Sequence, residues 1–142
     1  MKFFFISLFF ITLVSASHAQ ESYLLVSSGG GVAGTATVYK IGLDGKVLKG
    51  TGLGEINYSE RSKLKKCSAK KYFKGAKSLM TSSPDFNHPG NLYSSISLYE
   101  NGKESKITWG DPEHAVPEDA KKLYQKINTK LTGLTFTPDT LK

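Results

Sequence analysis

The sequence predicts an α+β domain: an antiparallel sheet of four to five strands with two amphipathic helices packed on one face. Three observations carry this. The elements run strands, helix, hairpin, helix, the segregated order of α+β folds. Two hairpin pairs, Asp44-Gly45 and Asn101-Gly102, sit between alternating segments. Two longer stretches have apolar residues at helical spacing. The chain has 142 residues, 22% charged and 39% hydrophobic, which suits one domain. These figures exclude collagen, a long coiled coil and a multi-span membrane protein.

The first element is a targeting segment. Lys2 supplies a positive start, Phe3 to Val14 is apolar, and Ser15-Ala16-Ser17-His18-Ala19 places small residues at a cleavage site after Ala19. Residues 1–19 are read as a signal peptide and 20–142 as one α+β domain. The apolar run is too short to span a bilayer. No Cys follows the cut, which argues against a lipid anchor, and no later segment is apolar enough to span. The expected location is therefore periplasmic or secreted.

Ser22 to Ser27 is aromatic and aliphatic and reads as a first strand. Thr35 to Leu43 reads as the second, and Lys46-Val47-Leu48 returns from Asp44-Gly45 as the third. Gly50 to Lys66 fits either a fourth strand or a loop. Ser68 is a candidate N-cap for a helix burying Ala69, Tyr72, Phe73, Ala76, Leu79 and Met80. Gly75 weakens that helix by about 1 kcal/mol relative to Ala.

Leu92 to Glu100 and Glu104 to Trp109 form a hairpin about Asn101-Gly102. That turn sets the register: Leu98 faces Ser105, Ile96 faces Ile107, and Ser94 faces Trp109. Leu98, Ile96, Ile107 and Trp109 then point to the core. Tyr93, Ser95, Ser97, Tyr99, Lys106 and Thr108 face solvent or a partner. Pro117 opens the last helix, Glu118 and Asp119 complement its dipole, and Gly133 ends it. Residues 134–142 read as a short edge strand or a disordered tail.

The formal net charge is +7. Arg61 to Lys77 carries Arg61, Lys63, Lys65, Lys66, Lys70, Lys71, Lys74 and Lys77 without an acid. A solvated helix face explains this run, and a docking face for an acidic partner is the alternative. No nucleic-acid motif is present, and nucleic acid is not expected as a partner. Cys67 is the only cysteine, so no internal disulfide can form.

Gly29-Gly30-Gly31-Val32-Ala33-Gly34 matches G-x-G-x-x-G, but a strand follows where a dinucleotide site needs a helix. It reads instead as a flexible connection whose bare amides are open to an extended peptide or a carboxylate. The hairpin register brings Asp85-Phe86-Asn87-His88-Pro89-Gly90-Asn91 beside Trp109-Gly110-Asp111-Pro112-Glu113-His114, with Asn91 near Pro112. Loops held by a rigid hairpin are a usual seat of function, although turn chemistry explains every letter except Phe86 and the histidines. His88, His114, Asp85, Asp111 and Glu113 can converge, but the histidines lack a metal-motif spacing, so no metal and no cofactor is expected. A carboxylate pair of Asp85 with Asp111 or Glu113 would suit a hydrolase. No nucleophile motif accompanies it.

Ser27-Ser28-Gly29-Gly30-Gly31-Val32-Ala33-Gly34, placed after a first strand, resembles the Ser-Gly-Gly-Phe-Ala-Gly signature of emfourin-type proteins. These are small inhibitors of thermolysin-like metallopeptidases. A Pro-containing loop before a Tyr-bearing strand, a returning strand ending near an Asp, and Val116-Pro117 opening an amphipathic helix are also similar. The resemblance spans most of residues 22–131. Gly29, Gly30, Gly31 and Gly34 match the motif directly, and Val32 stands where the family has an aromatic. Trp109-Gly110-Asp111 and the Asn87 to Asn91 run depart from the family pattern.

The resulting expectation is an exported, non-enzymatic binding module, with peptidase inhibition implied by the resemblance. Its binding residues are Gly29, Gly30, Gly31, Gly34, Asp85, Phe86, Asn87, His88, Asn91, Trp109, Asp111 and His114. The alternatives are a partner of a cell-envelope complex and a small hydrolase using the Asp and His loop residues.

Overall fold

The computed structural model describes residues 21–139. The expected signal peptide lies outside the described residues, as do positions 140–142. Eight strands and two helices follow in chain order: β1 Tyr23–Gly30, β2 Ala36–Gly42, β3 Lys46–Gly52, β4 Asn57–Lys63, α1 Lys66–Ser82, β5 Asn87–His88, β6 Leu92–Glu100, β7 Lys103–Trp109, α2 Glu118–Thr132 and β8 Thr137–Pro138. They form one sheet in the order β5-β7-β6-β1-β2-β3-β4-β8. Every pairing is antiparallel except β5 with β7.

The fold class is α+β as expected, but four to five strands understates the sheet. β5 and β8 are two residues long, and such short pairings leave no hydrophobic alternation to read. β4 is polar along its length, and its ladder with β3 shifts register between Lys49 and Gly50. The hairpin register agrees with the reading of its turn: Ser94 pairs with Trp109, Ile96 with Ile107 and Leu98 with Ser105. Asn101 and Gly102 both have positive φ, at 52° and 74°, as a type I′ turn requires.

One sheet face carries Leu24, Val26, Ile41, Val47, Ile96, Leu98 and Ile107, all buried. They form one core with Ala69, Tyr72, Phe73, Ala76 and Leu79 of α1 and Ala120, Ile127 and Leu131 of α2. Leu123 of α2 lies where a Cβ on Gly75 would meet it at 3.0 Å, so the glycine permits close helix approach. α1 starts three residues before the expected position, and Lys65 caps it without a side-chain hydrogen bond. Leu64 and Ala69, buried before and within the first turn, occupy the positions of a hydrophobic staple, which fixes the start better than Ser68 does. Cys67 is exposed in that turn.

The opposite sheet face departs from expectation. Ser95, Ser97 and Thr108 are buried rather than solvated. They are short side chains among taller neighbours. Ser95 and Ser97 lie in a cleft of about 240 Å³ with Leu25, Val38, Tyr58, Tyr93 and Lys106. Within it the Ser27 and Ser95 hydroxyls are 2.6 Å apart. Near the far end of this face Tyr23 stacks on Tyr99 at 4.5 Å, with the Lys40 ammonium over the Tyr23 ring.

Candidate functional site

The two polar loops meet as the hairpin register requires, but the contact is tighter than a loop crossing. Asn87 and His88 form β5 and run parallel to the end of β7, opposite Thr108 and Trp109. The Thr108 N–H donates to the Phe86 carbonyl (3.0 Å), and the Asp111 N–H donates to the His88 carbonyl (3.1 Å). Gly90 and Gly110 make this approach possible, because a Cβ on either would overlap backbone atoms of the other. At the seam itself Gly90 lies against Gly110. Asn91 instead turns its carbonyl toward the β1–β2 connection.

His88, Asp111 and His114 come together at this seam. The two imidazole rings stack with centroids 3.7 Å apart and planes 10° from parallel. His114 Nδ1 and Asp111 Oδ2 are 2.7 Å apart, and Asp111 Oδ1 accepts the Glu113 N–H at 3.0 Å. These two hydrogen bonds, the backbone one foremost, hold the Asp111 carboxyl below the usual carboxylate range. Phe86 meets His88 edge-on at 4.8 Å. Trp109 packs edge-on against Tyr124 of α2 at 5.2 Å, which ties the end of β7 to the helical layer. Asp85 and Asn87 are not part of this group and flank a separate hollow beside Lys106.

The Gly-rich connection requires a correction. Its amides are not bare. The Gly30 N–H donates to Thr35 O (3.3 Å), Gly31 N–H to Asn91 O (2.8 Å) and Gly34 N–H to Gly31 O (3.0 Å). Gly29 lies inside β1, a strand paired on both sides. The run is thus a closed turn docked on the start of β6. Gly30 has φ 103°, and a Cβ there would overlap the Asn91 carbonyl that Gly31 binds. The glycines serve geometry more than recognition.

A cleft of about 460 Å³ opens between this turn and the Trp109 loop, lined by Ser28, Gly29, Thr35, Thr37, Ser94 and Trp109 among others. Three large apolar side chains stand out at the same end of the sheet: Val32 is fully exposed, Leu53 69% and Leu92 68%. Val32 is at the tip of the β1–β2 turn, Leu53 of the β3–β4 turn, and Leu92 opens β6. The sequence reading did not single out these three. The pairing of Gly30 with Leu92 and of Ala36 with Gly52 brings all three to one end, and only the second pairing follows from a turn signal in the sequence, Asp44-Gly45.

No family model matches the chain, and no curated protein matches it. No helix among the described residues is long and apolar enough to cross a membrane.

Proposed function

We propose that the chain is an exported, non-enzymatic binding module whose working surface is the loop end of its sheet. The observation that carries this is the exposure of Val32, Leu53 and Leu92 at one end of the sheet, where Leu92 also lines the Trp109 cleft. Isolated exposed apolar residues are ordinary. Three at one end of the sheet, on two turn tips and the first residue of β6, have the composition of a protein-binding patch. The turns are held by backbone hydrogen bonds, so little ordering entropy opposes binding. A thermolysin-like metallopeptidase is the partner that the resemblance of the Gly-rich run implies.

The test is an inhibition assay with such a peptidase and the purified protein. Stoichiometric inhibition that is lost in Val32→Asp and Leu92→Asp, with their melting temperatures unchanged, supports the reading. Absence of both inhibition and binding at roughly 100 μM removes the peptidase as partner. A pull-down from the producing cell then decides whether the same end binds another protein.

One observation favours a second reading. α1 presents Lys66, Lys70, Lys71 and Lys74 on its exposed side, while Lys77 is paired with Glu100 at 3.0 Å. This cationic face suits an acidic partner in an envelope complex. Association through it would weaken steeply with salt, whereas association through the apolar turn tips would not.

A further inference from the structure

We infer that His88, Asp111 and His114 form a binding site for one divalent transition ion of the zinc class. One donor atom from each residue lies within 4.8 Å of those of the other two. Two imidazoles and one carboxylate are a donor set that such ions take readily, with the remaining positions open to water or a partner side chain. The set does not suit magnesium or calcium, which prefer oxygen ligands throughout.

The residues are positioned by more than proximity. The Asp111 N–H binds the His88 carbonyl and the His114 N–H binds the Asp111 carbonyl (3.3 Å), so the three backbones are linked directly. The Glu113 N–H holds the carboxylate oxygen that His114 does not use. β5 fixes His88 on the edge of the sheet, and Gly90 and Gly110 close the seam. Contacts of this kind fix the backbones that carry the three donors, so that only side chains turn when an ion arrives. His114 and Asp111 are both accessible, with 45% and 29% of their side chains exposed, so an ion can enter without unfolding the loop.

Sequence spacing argued against a metal because the histidines are far apart and share no helix. The parallel β5–β7 pairing removes that objection. The stacked rings give the proposal a specific signature. An ion shared by two parallel imidazoles would lie outside both ring planes, so binding must splay the stack and lengthen the His114–Asp111 contact. The two rings must respond together.

The experiment uses EDTA-stripped protein carrying Cys67→Ser, which removes the exposed thiol as a competing ligand. Zinc chloride is titrated by calorimetry and by imidazole NMR. The expected result is one ion per chain, with His88 and His114 resonances shifting in step and a raised melting temperature. His88→Asn or His114→Asn each weakens binding about 10-fold or more. The proposal is overturned by the absence of binding at millimolar zinc, by an equal response to magnesium, or by a titration unchanged in the double variant. It is also overturned if only one imidazole responds. The wild-type NMR titration stands even where a variant folds poorly. No partner protein enters the test, so its outcome is independent of the proposed function.

Discussion

Gly110 shows how one residue type can decide the geometry of the loop end. A Cβ at this position would overlap the Leu92 carbonyl and approach the Gly90 nitrogen to 2.8 Å. Both obstacles are backbone, which cannot swing aside as a side chain can. Gly110→Ala is expected to destabilise by about 1–3 kcal/mol, the range for overpacking, and to part the two loops. Denaturant melting measures the first effect, and loss of nuclear Overhauser contacts between the His88 and His114 rings measures the second. Gly133→Ala is the control. Its φ is −85° and the nearest atoms to a new Cβ are 3.6 Å away. There the substitution is expected to be neutral or to stabilise by up to about 1 kcal/mol. Sequence alone gave both glycines turn or cap roles and could not rank them, because rank depends on which distant backbone lies over each one. The same limit explains the Gly29 to Gly34 run. Its glycines were legible as a connection between two strands but not as a closed turn, because the hydrogen bond from Gly31 to Asn91 joins segments far apart in the chain.

At the scale of elements, legibility followed local chemistry. Asn101-Gly102 specified its turn type, and the turn type specified every pair of β6 and β7. Period-3.6 patterning marked the buried face of α1, where Met80 alone is only partly buried. β5 escaped, and β4 and β8 were legible only as alternatives to a loop and a disordered tail, because their pairing is decided by partners, not by their own patterns. β4 has no apolar alternation, and β5 exists because the Phe86 carbonyl and its neighbours reach the free edge of β7. This dependence makes the β6–β7 hairpin the element on which the candidate site rests. Gly102→Ala forces a left-handed conformation on a residue with a Cβ, at an expected cost of about 1–2 kcal/mol. If the hairpin register carries the loop end, amide exchange in β5 and in the 109–114 segment should quicken along with the turn. Exchange that quickens only around residues 101 and 102 would show that the loop end is held independently.

The whole molecule has a sheet with two unlike faces, and its alkaline behaviour follows from both. The core face was read correctly, but the burial of Ser95, Ser97 and Thr108 required knowing that tall neighbours from other strands would stand around them. Tyr72 on the helical side and Tyr58 on the cleft side have their phenols pushed up by desolvation, which disfavours the phenolate. Tyr99 is also raised, chiefly by donating a hydrogen bond to Glu104, and Lys49 by its hydrogen bond to Glu60. All four groups hold their protons more tightly folded than unfolded. Their contribution to stability is complete below the unfolded values, about 10 for tyrosine and 10.4 for lysine, and is lost as pH rises through the higher folded values. Stability should therefore fall above about pH 10, with a slope set by the excess of protons bound by the native state. Tyr72→Phe keeps the buried ring and removes one titrating group. Urea midpoints of the two proteins measured from neutral pH to about pH 11 should converge or cross as pH rises, the variant showing the shallower alkaline slope. Parallel curves would mean that the Tyr72 phenol is as free to ionise in the native state as in the unfolded chain, and that solvent reaches the seam between helix and sheet.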